Sequence, residues 1–132
     1  MTGATGSLGS YILDELLADP KVETIYCLCR AKNDADASDR LAGSMKTRKL
    51  LTRFSSANAT ANQRIVALAA DLPAVRLGLD EARYHEIARR ATAIIHVRPS
   101  PYPLSSSSLH FVAAERLGGQ FQLGHLQVGI YA

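Results

Sequence analysis

The sequence predicts an α/β fold built on a doubly wound parallel sheet, partial in extent, with an irregular C-terminal tail. Three observations lead there. A glycine-rich stretch, Thr2-Gly3-Ala4-Thr5-Gly6-Ser7-Leu8-Gly9, opens directly into a helical pattern. Short, nearly continuous apolar runs at residues 24–29, 64–70 and 93–96 have the composition of strands buried in a parallel sheet. Between these runs the apolar spacing returns to the helical period, giving the alternation of strand and helix that builds such sheets.

Composition sets the outer limits. A chain of 132 residues, 47% of them apolar, holds one domain with a modest core. The formal net charge is +3, with Lys46, Arg48, Lys49 and Arg53 as the densest basic cluster. Aromatic residues are not interleaved there, so a solvated helix face is favoured over a nucleic-acid surface. No apolar run approaches the roughly 18 residues needed to span a bilayer. The N-terminus lacks the basic and apolar regions of a secretory signal, and a soluble, cytoplasmic protein is expected. Cys27 and Cys29 fall on one face of a strand and are expected to be buried reduced thiols. They and His85, His96, His110 and His125 show no metal-ligand spacing, so no metal site is expected.

The first element is the glycine loop. Glycines can adopt backbone conformations closed to other residues, which suits Gly3 and Gly6 to a loop approaching a pyrophosphate, and Gly9 to tight packing of the helix that follows. Amides at that helix's N-terminus add donors and the positive end of a dipole. Gly-rich turns also occur for structural reasons alone, so context must decide. Leu8, Ile12 and Leu16, widened by Leu13 and Leu17, give the helix an apolar face, and Asp19-Pro20 stops it. Thr24-Ile25-Tyr26-Cys27-Leu28-Cys29 reads as the next strand, buried on both faces.

The residue that ends this strand carries information. In a βαβ nucleotide-binding unit an acidic residue about 20 positions past the glycines accepts the ribose 2′-hydroxyl of NAD, whereas an Arg accommodates the 2′-phosphate of NADP. Here the residue is Arg30, followed by Lys32. A guanidinium matches a phosphate dianion through paired charge-assisted bonds, which favours NADP; the plainer reading is an Arg that merely ends a strand.

Asp36 or Ser38 could cap a basic surface helix over residues 39–54, with Leu41, Met45, Leu51 and Phe54 on its apolar stripe. Arg40, in its first turn, could reach a 2′-phosphate or stand in solvent. Arg64 to Ala70 forms the next strand and runs into Asp71-Leu72, where Asp71 could bond an adenine amino group or simply begin a turn. Asp80 can cap a helix carrying Tyr84, Ile87, Ala88 and Ala91 on one face. Ala93-Ile94-Ile95-His96 is a further short strand.

Taken in order, Thr2 to Gly9, Tyr26 to Ala31, Ala70-Asp71-Leu72, Leu77-Gly78-Leu79-Asp80 with Tyr84, and Ile94-Ile95-His96 resemble the start of a thioester reductase domain. Such domains close nonribosomal peptide and polyketide assembly lines and occur in carboxylic acid reductases and aminoadipate reductases. They are extended short-chain dehydrogenase/reductases of Rossmann type, related to the male-sterility fatty acyl-CoA reductases. The resemblance covers about 95 of the 132 residues. It implies that Gly3, Thr5, Gly6, Ser7, Leu8 and Gly9 line the pyrophosphate, Arg30 reads the 2′-phosphate, and Asp71 and Leu72 contact adenine. It further implies NADP as cofactor and a phosphopantetheine carrier-bound acyl thioester as substrate, with no nucleic-acid or membrane partner.

After His96 the pattern departs from the family, which would continue with Asn-Ala and a helix. Val97-Arg98-Pro99-Ser100-Pro101-Tyr102-Pro103 holds three prolines in five residues and imposes irregular chain. The expected division is therefore a partial NAD(P)-binding domain over residues 1–96 and an irregular tail over 97–132. The resemblance implies a Ser or Thr and a Tyr-x-x-x-Lys pair as catalysts, but neither Tyr102 nor Tyr131 is followed by such a Lys and the last Lys is Lys49. No catalytic residue is assigned.

The family also has an apolar strand before the glycines, where this sequence has Met1. In the usual order 3-2-1-4, two unpaired inner edges are then expected. The expectation is a reductase fragment, cut at its start and read through an altered splice or frame after His96. Its inherited function is NADPH-dependent reduction of a carrier-bound acyl thioester to aldehyde or alcohol. The alternative is a non-catalytic nucleotide-binding or interaction fragment.

Overall fold

The computed structural model describes residues 1–50, 63–98, 110–117 and 120–125. Helix α1 spans Ser7–Ala18, strand β1 Ile25–Cys29, helix α2 Asp34–Thr47 and strand β2 Ile65–Ala69. A short 3-10 turn at Val75–Gly78 leads to helix α3, Glu81–Arg90, and then strands β3, Ala93–Arg98, β4, His110–Leu117, and β5, Gln120–His125.

The helices end where their chemistry says they should. The carbonyls at the end of α1 accept from Arg64, whose guanidinium reaches Leu17 O, Asp19 O (2.9 Å) and Val22 O (2.7 Å). Asn33, not Asp36 or Ser38, caps α2 by accepting from the Asp36 amide at 2.9 Å, while Asp36 accepts from the Lys32 amide at 3.0 Å. The helix therefore begins five residues before the expected Asp39. It closes after Thr47, with Lys49 in the left-handed region at φ 57°. The Leu50 amide donates to Met45 O and the Lys49 amide to Lys46 O, both at 3.0 Å, which is a Schellman closure. Of the stripe expected to continue the helix, Leu51 and Phe54 lie outside the described residues. Helix α3 starts as expected, with Asp80 accepting from the Arg83 amide at 3.0 Å. Its half-buried residues include Tyr84, Ile87 and Ala88.

β1 and β2 pair in parallel from Ile25 opposite Ile65 to Cys29 opposite Ala69. β3, β4 and β5 form an antiparallel run in which Ala93 faces Glu115 and Leu117 faces Gln120. The expectation of an irregular tail thus fails over residues 110–117 and 120–125, and β3 itself continues two residues past His96 to Arg98.

Thr2 joins the two pieces. It bridges in parallel to Leu28 of β1 and to His96 of β3. Leu28 N donates to Met1 O and Thr2 N to Ile95 O, both at 2.9 Å, and Val97 N donates to Thr2 O at 3.3 Å. The Met1 amine donates to Tyr26 O. The inner edges expected to be unpaired are therefore bonded at their C-terminal ends, and the order β2-β1-Thr2-β3 is that of a doubly wound sheet.

The core lies between α1, α2 and one face of β1. Its buried members include Leu13, Leu17, Ile25, Cys27, Ala37, Leu41 and Met45. Burial along β1 alternates, complete at Ile25, Cys27 and Cys29 and partial at Tyr26 and Leu28. The strand was expected to be buried on both faces; among the described residues only the face under α1 and α2 is fully covered. Cys27 and Cys29 are free buried thiols, and burial pushes the Cys27 thiol up to about 12. No helix among the described residues is long and apolar enough to cross a membrane.

Candidate functional site

Parallel strands put their carboxyl ends on one edge, and the singled-out residues gather there. Gly3 to Gly6 follow directly on Thr2, the residue bridging β1 and β3. Arg30 comes one residue after β1 and Asp71 two residues after β2. The Ala70 amide donates to Cys29 O at 2.8 Å, holding the two strand exits together. Arg30, Asp71 and Leu72 are exposed, as are Gly6 and Ser7 of the loop.

Geometry separates the three glycines. Gly3 lies at φ 74°, and a Cβ there would sit 2.1 Å from Val97 O, so both conformation and approach to β3 require glycine. At Gly9 a Cβ would sit 1.9 Å from Gly3 O and 2.6 Å from Gly3 C, so this glycine lets α1 rest on the loop. Gly6 has an ordinary φ of −77°, and a Cβ there would meet only Gly3 O, at 3.2 Å. Of the conformational freedom expected of Gly6, this loop uses none: its backbone is ordinary and serves as the N-cap of α1.

No side chain caps that helix. The Gly6 amide donates to Gly3 O at 3.0 Å, and the first helical closure is Ser10 N to Gly6 O at 3.1 Å. Amides in the first turn, those of Ser7, Leu8 and Gly9, have no acceptor within the helix. Together with the dipole they offer an anion several donors beside the Cβ-free backbone of Gly6.

Residues beyond the expected nucleotide contacts support this edge. The Thr2 hydroxyl and His96 Nδ1 are 2.6 Å apart. Ser10 Oγ donates to Gly6 O at 2.7 Å and Ala4 O at 3.0 Å, and lies 3.0 Å from Ser44 Oγ. Ser44 Oγ donates to Thr5 O at 2.8 Å. Asp34 accepts from the Ala69 amide at 2.9 Å and pairs with Arg83, and those two donors hold its carboxyl below the ordinary carboxylate value. Burial raises the Cys29 thiol pKa above its ordinary value, an effect the exposed Arg40 charge only partly offsets. The signal for Ser10 and Ser44 was their register. Ser10 is three and seven residues before Leu13 and Leu17, and Ser44 is seven after Ala37, so both hydroxyls fall on core-facing positions.

With this arrangement established, the family model described as male sterility protein, an NAD-binding family, matches residues 1–98. The chain belongs to that family. It is 37% identical over 97 residues to the nonribosomal peptide synthetase asaC of Aspergillus flavus, covering 74% of this chain and 9% of that protein. It is 33% identical over 110 residues to the aldehyde reductase lnbA of the same species, covering 83% of this chain and 10% of that one. The chain thus spans a tenth or less of the length of the curated relatives it matches. Among solved structures it resembles the reductase domain of a nonribosomal peptide synthetase from Mycobacterium tuberculosis, with a TM-score of 0.60 and 35% identity over 68% of this chain and 21% of that one. The terminal reductase domain of the myxalamid biosynthetic pathway gives a TM-score of 0.60 and 30% identity, over 77% of this chain and 25% of that one. This male sterility family chain corresponds to the N-terminal part of such a reductase domain, with its Rossmann-like α/β fold.

Proposed function

We propose that the chain is the nucleotide-binding part of an NADPH-dependent thioester reductase domain acting on carrier-bound acyl thioesters and yielding aldehyde or alcohol. The observation that carries the cofactor choice is Arg30, exposed where β1 leaves the sheet, on the edge that bears the glycine loop. In this reading Gly3, Thr5, Gly6, Ser7, Leu8 and Gly9 hold the pyrophosphate, Arg30 holds the 2′-phosphate, and Asp71 and Leu72 border the adenine. Residues 1–96 form the nucleotide-binding part, and Val97, whose carbonyl lies against Gly3, continues its last strand. The nicotinamide, when bound, supplies hydride to the thioester carbonyl. The substrate side is a phosphopantetheine-tethered acyl chain, a role supported by the likeness to reductase domains of peptide synthetases.

A second reading, a non-catalytic nucleotide-binding or interaction fragment, is favoured by one sequence fact. None of the five tyrosines is followed four residues later by a lysine, so these 132 residues hold no Tyr-x-x-x-Lys to polarise a carbonyl and donate a proton. Binding and turnover separate the two: NADPH oxidation by the isolated chain with an acyl thioester supports catalysis in this piece, and saturable NADPH binding without turnover supports a binding part alone. For the cofactor, Arg30→Ala is expected to weaken NADPH about tenfold or more, from loss of charge-assisted bonds to the phosphate, and NADH little. Equal losses for both nucleotides would remove Arg30 from the role.

A further inference from the structure

We propose that Ser10 and Ser44 form a hydroxyl brace that sets the direction of the loop amides from behind, with Ser44 as a positioning residue contributed by a different helix. The inference rests on the nucleotide reading of the glycine loop. Three consecutive loop carbonyls meet this pair. Ser10 Oγ donates to Ala4 O and Gly6 O, and Ser44 Oγ donates to Thr5 O at 2.8 Å. Ser10 is fully buried.

Each hydroxyl has a single proton. Ser10 shares its own between Ala4 O and Gly6 O, and Ser44 gives its own to Thr5 O. Arg48 Nη1 donates to Ser44 Oγ at 2.7 Å and to Ser44 O at 3.1 Å, which leaves the Ser44 proton directed at Thr5 O; the two hydroxyl oxygens lie 3.0 Å apart.

Peptide planarity turns these carbonyl bonds into amide directions. In a trans peptide the carbonyl and the following N–H point oppositely. Holding Ala4 O and Gly6 O inward therefore aims the Thr5 and Ser7 amides outward, to the side where a diphosphate would lie. Holding Thr5 O fixes the same peptide plane as the Gly6 amide, which donates to Gly3 O at 3.0 Å. Without the brace these planes can rotate, and the amides lose the preorganisation that makes the loop an anion site.

The test combines residue-resolved amide exchange, a urea midpoint and NADPH binding on the 132-residue chain. Ser44→Ala is expected to speed exchange of the Gly6 amide about two- to tenfold and to weaken NADPH by a similar factor, as the loss of one hydrogen bond implies. The Leu13 and Cys27 amides in the core should stay protected, and Ser44→Thr, which keeps a hydroxyl, should restore both readouts. Ser10→Ala combined with Ser44→Ala should cost less than the two added together, because they share one network. Unchanged Gly6 exchange in Ser44→Ala overturns the brace. So does faster exchange with unchanged NADPH affinity, or a loss spread evenly over the core amides. If Ser44→Ala fails to fold, Arg48→Met gives the second arm: it removes the donor to Ser44 and should raise Gly6 exchange, and no change there overturns the inference. Failure of the unmodified chain to bind NADPH sinks the nucleotide reading instead, and Gly6 exchange still judges the brace.

Discussion

At the scale of single residues, the loop shows how one motif letter covers different physical demands. A methyl at Gly9 meets main-chain atoms of Gly3 and Ala4, none of which can move without unseating the loop. At Gly6 the same methyl meets one carbonyl at an approach that a few tenths of an ångström relieves. Gly9→Ala should therefore lower the unfolding free energy by about 1–3 kcal/mol, in the range of overpacking, and Gly6→Ala by less than about 1 kcal/mol, as for Ala at an N-cap. Urea unfolding of the two variants checks the order; equal losses would mean that the loop relaxes around Gly9. The glycine spacing is legible as a turn into α1, and Arg30 and Asp71 as the residues just past β1 and β2, because each is a recognised residue type at a recognised place. Ser10 and Ser44 were not, because a serine in a helix normally reads as neutral filler and only its register against Leu13, Leu17 and Ala37 marks it as facing the core. Thr2 was legible as a motif member, whereas its bond to His96 depends on β3 arriving beside it, a fact of topology that no local pattern carries.

At the scale of elements, apolar runs and caps were read well where the interaction is local. β1, β2 and β3 fall on the three predicted runs, and α3 begins at the predicted Asp80 cap. α2 starts earlier than the sequence predicts because its first turn is set by two side chains, Asn33 accepting from the Asp36 amide and Asp36 from the Lys32 amide, and its end depends on a lysine taking the conformation usually left to glycine. β4 and β5 lie where the sequence predicts irregular chain, although Gly118-Gly119 between two runs is a hairpin signal; the three prolines upstream argue locally against regular structure. The α2 terminus yields a prediction. Left-handed backbone costs a residue with a Cβ about 1–2 kcal/mol, partly offset in glycine by its freer unfolded chain. Lys49→Gly should thus stabilise the chain by about 0.5–1 kcal/mol, seen as a higher urea midpoint with an unchanged slope. Destabilisation would mean that the Lys49 side chain does something the backbone closure does not require.

At the scale of the whole molecule, a few long-range ties among the described residues connect the sheet to its helices. Thr2 links β1 to β3, Arg64 links β2 to the end of α1, and Asp34 links the start of α2 to β2 and α3 through Ala69 N and Arg83. The last of these is sensitive to pH. The Ala69 amide, and after it Arg83, hold the Asp34 carboxyl below its ordinary value near 3.8, so the folded chain binds the proton less readily than the unfolded one. Its stabilising contribution is therefore complete above the unfolded carboxylate pKa and is lost as the pH falls through the lower folded value. Because the side chains of Asp34 and Arg83 are 43% and 48% exposed, solvent screens the pair and the effect is small at moderate salt. Asp34→Asn keeps an oxygen for the Ala69 amide and removes the charge. Urea midpoints of the two proteins should differ from pH 7 down to about pH 5 and converge on acidification below about pH 4. Parallel curves across that range would show that the charge on Asp34 adds nothing beyond its bond to Ala69, leaving α3 tethered to the sheet by geometry alone.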